Sequence, residues 1–301
     1  MTNSQQDIWA QWMLKRRFGD NPEQLKKTMD YLYPVRDKVL SRINLENGGT
    51  LLDVGCCDGL IAFGALEKFK ECKVIFSDIS QDLLDHSQGL AEEMRILERC
   101  KFVRASADDL SMFANESVEA VTTRSVLIYV DAKQKSFDEF YRVLKPKGTL
   151  SIFEPINRFG YPEPANTCWG YDVTPVVEIA RKVKAVYEKI QPADDPMLNF
   201  DERDLFTYAE QAGFKEVHLE LQAEIKSLAE EFIKLPDKLR QQKWESMLNH
   251  AGNPKIPTLE EAMRQVLTAD EQEELMAHLR PLVEAGQTVQ RSSVAYLWAI
   301  K

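Results

Sequence analysis

The sequence predicts an α/β fold: a parallel sheet covered by helices on both faces, with helical residues ahead of it and a helical insertion before its last strand. Three observations carry this. Short apolar runs alternate with amphipathic stretches from residue 50 to residue 155, the pattern of strands joined by crossover helices. The first run, "TLLDVG", stops at Gly55 and passes through Gly59 into "LIAFGALEK", a strand that turns on glycines into a helix. The second, "KVIFSD", ends on an acid, Asp78.

The elements follow in order. Residues 5–45 read as helical: Trp9, Trp12 and Met13 have helical spacing, and "EQLKKTMDYLYPVRDKVLSRI" repeats apolar residues every three to four positions. Pro34 starts or kinks a helix there. Strands are expected at 50–55, 73–78, 101–105, 119–124 and 148–155, with helices near 60–70, 80–96 and 133–144. Crossovers in such a sheet are right-handed. Residues 156–200 hold loops and one amphipathic helix, "VTPVVEIARKVKAVYEKI", with Thr174 placed to cap it before Pro175. "DERDLFTYAEQAGF" is a capped helix that ends at Gly213. Residues 215–225 alternate as a strand, 226–288 are helical with capped starts at Thr258 and Thr268, and "SSVAYLWAIK" is a final strand. The expected organisation is a helical lid over 1–45, a core over 46–225 and 289–301 with 156–200 on its substrate side, and a helical cap over 226–288.

Composition narrows the function. With 301 residues, 44% of them hydrophobic, the chain can bury a full core without staples. The net charge is −10 and no Lys/Arg cluster stands out, so no nucleic-acid partner is expected. "MTNSQQDIWAQW" lacks the basic start and apolar core of a signal peptide. No stretch approaches the roughly 20 apolar residues of a membrane span. A cytoplasmic location is therefore expected, with no membrane partner. The five cysteines are Cys56, Cys57, Cys72, Cys100 and Cys168, and no CxxC or Cys/His ligand spacing occurs. Neither a disulfide framework nor a metal is expected.

The glycine turn lies where open parallel sheets bind ligands, at the carboxyl ends of the strands. Asp78 ends the next strand, where a carboxylate accepts the two hydroxyls of a ribose. A dinucleotide fingerprint needs a third glycine one turn into the helix; Leu60 stands there. No phosphate-binding GxxxxGK[ST] loop occurs. The ligand that fits is an adenosine with a short zwitterionic arm.

"LLDVGCCDG", "VIFSDIS", "VRASADDLS", "VEAVTTRSVLIYV" and "FDEFYRVLKPKGTLSIFEPINR", in this order, resemble the class I S-adenosylmethionine-dependent methyltransferases, nearest to the small-molecule, ubiquinone-biosynthesis-like branch. The resemblance covers about residues 50–158. It implies a Rossmann-like seven-stranded, mostly parallel sheet with the last strand reversed, the strands at 215–225 and 292–300 supplying the final two. It also implies an enzyme, S-adenosyl-L-methionine as cofactor, and a small-molecule substrate. By position, Asp53, Gly55, Cys57 and Gly59 form the loop under the methionine part, and Asp78, followed by Ile79, is the ribose acid. The family's Gly-Asp-Ala stretch is Ala105, Ser106 and Ala107 here, so Ser106 or Asp108 reads the adenine. Arg124 and Ser125 line the methionine end, with Arg124 pairing the cofactor carboxylate or the substrate. Cys57 replaces the middle glycine, which the turn accepts if its backbone angles stay in the common region. Packing is the expected role of Cys56 and Cys57; the sharper alternative is a pair of thiols that binds a soft metalloid or senses oxidation, its pKa lowered by the helix N-terminus.

Methyl transfer from a sulfonium is an in-line displacement, in which the enzyme orients the partners and excludes water. A base helps only when the nucleophile carries a proton of high pKa. Glu154, at the end of the fifth strand, is the candidate base, the alternative being a carboxylate bonded to loop amides. Tyr129 is a second catalytic candidate. Trp12, Arg16, Arg17, Asn157, Arg158, Trp169 and Tyr171 are candidate substrate contacts, with Trp9 as part of an aromatic lid. The helices of 226–288 enclose a small substrate or form a homodimer interface. The competing readings are a nicotinamide oxidoreductase, against which Leu60 argues, a non-catalytic cofactor-sensing or partner-binding protein on the same fold, and methylation of a protein target.

Overall fold

The computed structural model describes residues 6–16, 22–45 and 48–301. Its elements are, in chain order, α1 (Ile8–Gln11), α2 (Pro22–Leu40), β1 (Gly49–Val54), α3 (Leu60–Lys68), β2 (Cys72–Asp78), α4 (Gln81–Glu93), β3 (Cys100–Arg104), β4 (Val118–Arg124), α5 (Lys133–Val143) and β5 (Leu144–Pro155). Then come β6 (Thr167–Cys168), β7 (Tyr171–Asp172), α6 (Val177–Ile190), α7 (Glu202–Ala212), β8 (Glu216–Ser227), α8 (Ala229–Ile233), α9 (Asp237–Asn249), α10 (Leu259–Val266), α11 (Ala269–Glu284) and β9 (Val289–Ile300). A π-helical turn over Trp12–Arg16 follows α1.

The main sheet has the strand order β3-β2-β1-β4-β5-β9-β8. β1 pairs in parallel with both β2 and β4, and β9 runs antiparallel to β5. Sheet size, mixed direction and the reversed strand all match the expectation. Residues 51–54 of β1 are all buried, as they must be in a strand covered on both faces. Strand order reverses between β1 and its neighbours β2 and β4, which creates the crevice where ligands bind. On one face α2, α3 and α4 join the sheet in a cluster that includes Val35, Val39, Leu51, Ile61, Val74, Phe76 and Leu84. On the other, α5 packs on β5 and α7 on α5.

The chain divides into two compact units: residues 1–156, 200–222 and 294–301 in the first, and 157–199 and 223–293 in the second. The second has its own core, in which Val183 of α6, Trp244 of α9, Met263 of α10 and Leu279 of α11 share one buried cluster. Residues 157–199, grouped with the sheet in the sequence reading, thus cluster with the helices of 223–293. Two local expectations are refined. Pro34 lies inside α2, so of the two expected roles it does not start the helix. Thr174 does not cap the following helix; its hydroxyl donates to Asp172 Oδ1 at 2.5 Å instead. Thr258 and Thr268 each close a capping box, with Glu261 and Glu271 as the reciprocal partners. Among the described residues, no helix is long and apolar enough to cross a membrane.

Candidate functional site

The site is built from the carboxyl ends of β1, β2 and β4. After Val54 the backbone turns left-handed at Gly55, with φ of +66°. A Cβ there would stand 2.4 Å from Val126 Cγ2. Gly59 also has positive φ, +80°, and a Cβ would meet the Phe63 ring at 2.6 Å. Both positions require glycine. Cys57 departs from the expectation. Its φ is +53°, in the left-handed region that costs an L-residue about 1–2 kcal/mol. The amide of Cys57 donates to Asp78 Oδ2 at 2.9 Å and that of Cys56 to Ser77 O at 2.9 Å, so the turn is clamped to the end of β2. Cys56 is buried in the main core. Burial pushes its thiol well above the ordinary value; this is opposite to the thiolate that an oxidation sensor or soft-metal ligand needs.

Asp78 is buried, which raises its pKa even though Cys57 N and Ser80 N each donate to it at 2.9 Å. Each oxygen keeps a free lone-pair direction. Ile79 beside it is 43% exposed, an apolar surface at a strand end. Its carbonyl accepts from Arg104 Nε at 2.9 Å. In the loop after β3, Ser106 donates its hydroxyl to Asp108 Oδ1 and Ala107 is buried. The hydroxyl proton is therefore committed, and Asp108 carries the acceptor charge of this loop.

Asp53 lies in register between Phe76 of β2 and Thr122 of β4. Its Oδ1 accepts from Thr122 Oγ1 at 2.8 Å, while the buried Oδ2 accepts no hydrogen bond. Burial pushes its pKa up to about 7, against the hydrogen bond of Thr122 and the charge of Arg124. An orphaned carboxylate oxygen under a glycine turn calls for an N–H donor or a cation. Together with the acid at Asp78 and the apolar Ile79, it fits the zwitterionic arm, ribose and base of S-adenosylmethionine. Ser125, after β4, is a second non-glycine residue with positive φ, +56°; its amide donates to Phe153 O at 2.8 Å.

Glu154 makes the contacts of the loop-amide alternative. The residue is fully buried, and its Oε1 accepts from the amides of Val126 at 2.9 Å and Leu127 at 3.1 Å. Burial raises its pKa to about 7. Oε1 fixes the loop after β4, while the buried Oε2 accepts no hydrogen bond. Tyr129, in the same loop, is half-buried and meets the Trp9 ring edge-on at 4.9 Å.

Trp12 is corrected as a substrate contact. It is buried in a cluster with Ala10, Met13 and Leu83, against which Cys57 and Trp9 pack. Arg16 ends the π-helical turn, and Arg17 lies outside the described residues. The sequence reading missed Asp7. Its Oδ1 caps α1 through the amides of Trp9 and Ala10, and its Oδ2 accepts from Ser80 Oγ at 2.6 Å. Its own amide donates to Asp82 Oδ2 at 2.6 Å. Asp7 before "IWAQ" is a legible cap; its tie to Ser80, 73 residues away, is not.

The other candidate contacts belong to the second unit. Asn157 Nδ2 donates to Met197 O at 3.2 Å, and Arg158 is exposed. Trp169, 39% exposed, meets Tyr187 edge-on at 5.6 Å. Tyr171 is buried in that unit's core, so its ring is spent on packing.

Residues 52–152 match the family model described as a methyltransferase domain. Over 189 residues the chain is 26% identical to the ubiquinone/menaquinone biosynthesis C-methyltransferase UbiE of Rickettsia prowazekii, covering 61% of this chain and 75% of that protein. Over 170 residues it is 28% identical to the mitochondrial 2-methoxy-6-polyprenyl-1,4-benzoquinol methylase of Caenorhabditis elegans, covering 56% of this chain and 59% of that one. Among solved structures, phosphoethanolamine N-methyltransferase 2 of Haemonchus contortus, bound to phosphomonomethylethanolamine and S-adenosylhomocysteine, shares the fold at 15% identity. Its TM-score is 0.51, over 98% of this chain and 56% of that one. The matched domain and the sheet order agree: residues 52–152 carry a class I S-adenosylmethionine-dependent methyltransferase domain, and the chain is similar to methyltransferases of ubiquinone biosynthesis.

Proposed function

We propose that this enzyme methylates a small molecule, and that Asp53, Gly55, Cys57, Gly59, Asp78, Ile79, Ala107, Asp108 and Ser125 hold its cofactor. The observation that carries the site is the pair of buried acids on adjacent strands: Asp53 with an orphaned oxygen and Asp78 pinned to the glycine turn. Asp78 accepts the ribose hydroxyls, Ile79 lies along the base, and Asp108, oriented by Ser106, accepts from the adenine amine. Asp53 accepts from the amino group of the methionine arm. The bound sulfonium supplies the electrophilic methyl. The chain orients the acceptor, and α1 with Trp9 and Tyr129 excludes water. Among the expected acceptor contacts, Arg16 and Arg17 stay proposals for the acceptor side, while Asn157, Arg158 and Trp169 belong to the second unit and are not assigned to this site. The names of the quinone-methylating relatives support a small acceptor. The net charge of −10 argues against nucleic acid and suits a cytoplasmic enzyme.

Calorimetric titration with S-adenosylmethionine and S-adenosylhomocysteine, with NADH as control, tests the reading. Both adenosyl ligands should bind and NADH should not. Asp78→Ala should weaken S-adenosylhomocysteine about a hundredfold, since two hydrogen bonds to a charged acceptor are lost. Unchanged affinity in that variant would remove Asp78 from the ribose. Binding of the cofactor with no turnover on any acceptor tried would favour the cofactor-sensing alternative.

A further inference from the structure

The register of the sheet sets three side chains in one row. Arg124 of β4 is paired with Phe153 of β5, and Phe153 with Tyr296 of β9. Residues directly opposite across strands share a face, so Arg124, Phe153 and Tyr296 all point toward α2. The Phe153 and Tyr296 rings meet edge-on at 5.0 Å, and both pack with Val35 and Val39 of α2. Ser151 Oγ bonds Val39 O at 2.9 Å, and Lys38 Nζ stands 4.0 Å over the Tyr296 ring. Moving from Ser151 to Phe153 along β5, toward the carboxyl edge, is thus moving from Val39 back to Val35 along α2. One further turn back is Tyr31, on the same helical face as Val35 and Lys38. Tyr31 therefore comes down at the carboxyl edge, beside the end of β4, and it is 56% exposed.

Arg124 is the anomaly of this row. It is half-buried, yet among the described residues its side chain makes no hydrogen bond and no ion pair. Arg36, Arg42 and Arg142, by contrast, all pair with carboxylates. Asp53 feels the charge of Arg124 but forms no ion pair with it. A half-buried guanidinium with no resident anion offers a planar fork of donors that matches a carboxylate. The neighbouring phenols are donors too. Tyr31 is exposed and lies within reach of the charge of Arg124, and burial, with Tyr31 and Glu220 nearby, raises Tyr296 to about 12. Both hydroxyls keep their protons at neutral pH. In the sheet order β2-β1-β4-β5-β9 this row begins at β4, beside Ser125 at the edge of the cofactor site, and runs from there toward β9.

We propose that Arg124 and Tyr31 receive a carboxylate of the methyl acceptor, so that the acceptor is a small organic acid. This rests on the methyl-transfer reading above and adds the class of acceptor. Tyr296 and Phe153 are buried in the core, and Tyr296 supports Tyr31 from below.

The test uses full-length protein saturated with S-adenosylhomocysteine and titrated, by calorimetry and ligand-observed NMR, with benzoate, phenylacetate and cyclohexanecarboxylate, each beside its neutral amide. At least one acid should bind about tenfold more tightly than its amide, the size of one charge-assisted hydrogen bond. Arg124→Gln should abolish that preference and Tyr31→Phe reduce it, with Tyr31→Phe leaving S-adenosylhomocysteine affinity within about twofold. Tyr31 is exposed, so its variant reports even if Arg124→Gln unfolds. Acids and amides binding alike, or neither binding, overturns the proposal. So does an Arg124→Gln variant that loses S-adenosylhomocysteine affinity while keeping that for 5′-methylthioadenosine, which lacks the amino-acid arm: that result gives Arg124 to the cofactor carboxylate. If wild-type protein fails to bind S-adenosylhomocysteine, the cofactor reading falls separately, and the acid preference is read on the unliganded protein, where the same two side chains stand.

Discussion

Cys57 holds a left-handed turn without being glycine, at φ of +53°. Two clamping contacts keep it there: its amide on Asp78 and its carbonyl accepting from Ser87 Oγ at 3.3 Å. Cys57→Gly should relieve the strain and raise stability by about 1 kcal/mol, part of the gain being offset by the entropy of the freed glycine. A higher urea midpoint of the unliganded protein is the expected outcome; a lower midpoint would mean that the cysteine side chain packs better than its backbone costs. Asp53 and Glu154 give a pH dependence. Both reach about 7 in the folded protein, above their unfolded values, because burial penalises the charge. The folded protein thus holds protons that the unfolded chain has released, so these two groups make stability fall as pH rises from about 4 to about 7, with the loss complete above that. The urea midpoint of the unliganded protein should drop between about pH 4 and pH 7, and Asp53→Asn, which cannot ionise, should shrink the drop. The identities of Asp53, Asp78 and the glycines were legible because turn geometry and acid placement leave marks in sequence. The backbone strain at Cys57 was not, since a cysteine in a turn looks the same at either sign of φ.

At the scale of elements, the join of α1 to α4 depends on one side chain. Asp7 caps α1 and accepts from Ser80, which itself caps α4 through Leu83 N at 3.1 Å. Ser80 N donates to Asp78, so α1, the start of α4 and Asp78 form one hydrogen-bonded chain. Asp7→Ala should cost about 1 kcal/mol in capping, spent in opening α1. Stopped-flow release of S-adenosylhomocysteine should speed up severalfold with little change in thermal midpoint; an unchanged release rate would separate α1 from the pocket. Strands and helices of residues 50–155 were legible within a few residues, because buried parallel strands and capped helices have strong periodicity. Thr174 shows the limit. Its sequence context suits a cap, but Asp172 two residues earlier captures the hydroxyl, a local competition that pattern does not weigh.

The chain divides into two compact units, and the second has its own core. Leu279 is fully buried in the second, with Trp244, Met263 and Val183 around it. Leu279→Ala should destabilise that unit by about 2–5 kcal/mol and expose its helices to proteolysis and hydrogen exchange first. S-adenosylhomocysteine binding should survive at low temperature, because the proposed cofactor residues lie in the first unit. Loss of that binding in parallel with the second unit would show that the two unfold as one. An insertion between β8 and β9 was legible from the helical block of 226–288, and its capping boxes at Thr258 and Thr268 were readable directly. That residues 157–199 share its core was not, since shared burial between segments far apart in sequence leaves no periodic signal.

Sequence by itself determined the fold class, the glycine turn, the acids that end β1 and β2, and the cofactor they imply. These follow from local rules: strand ends, turn angles and apolar period are written within a few consecutive residues. Tertiary structure alone decided the use of Glu154 as a loop tie, the burial of Trp12, the Asp7–Ser80 link and the row of Arg124, Phe153 and Tyr296 beneath α2. Each depends on which strand lies beside which, and on what desolvates a charge once they do. Pairing register and burial are properties of the folded chain, because they arise from contacts between residues that are distant in sequence.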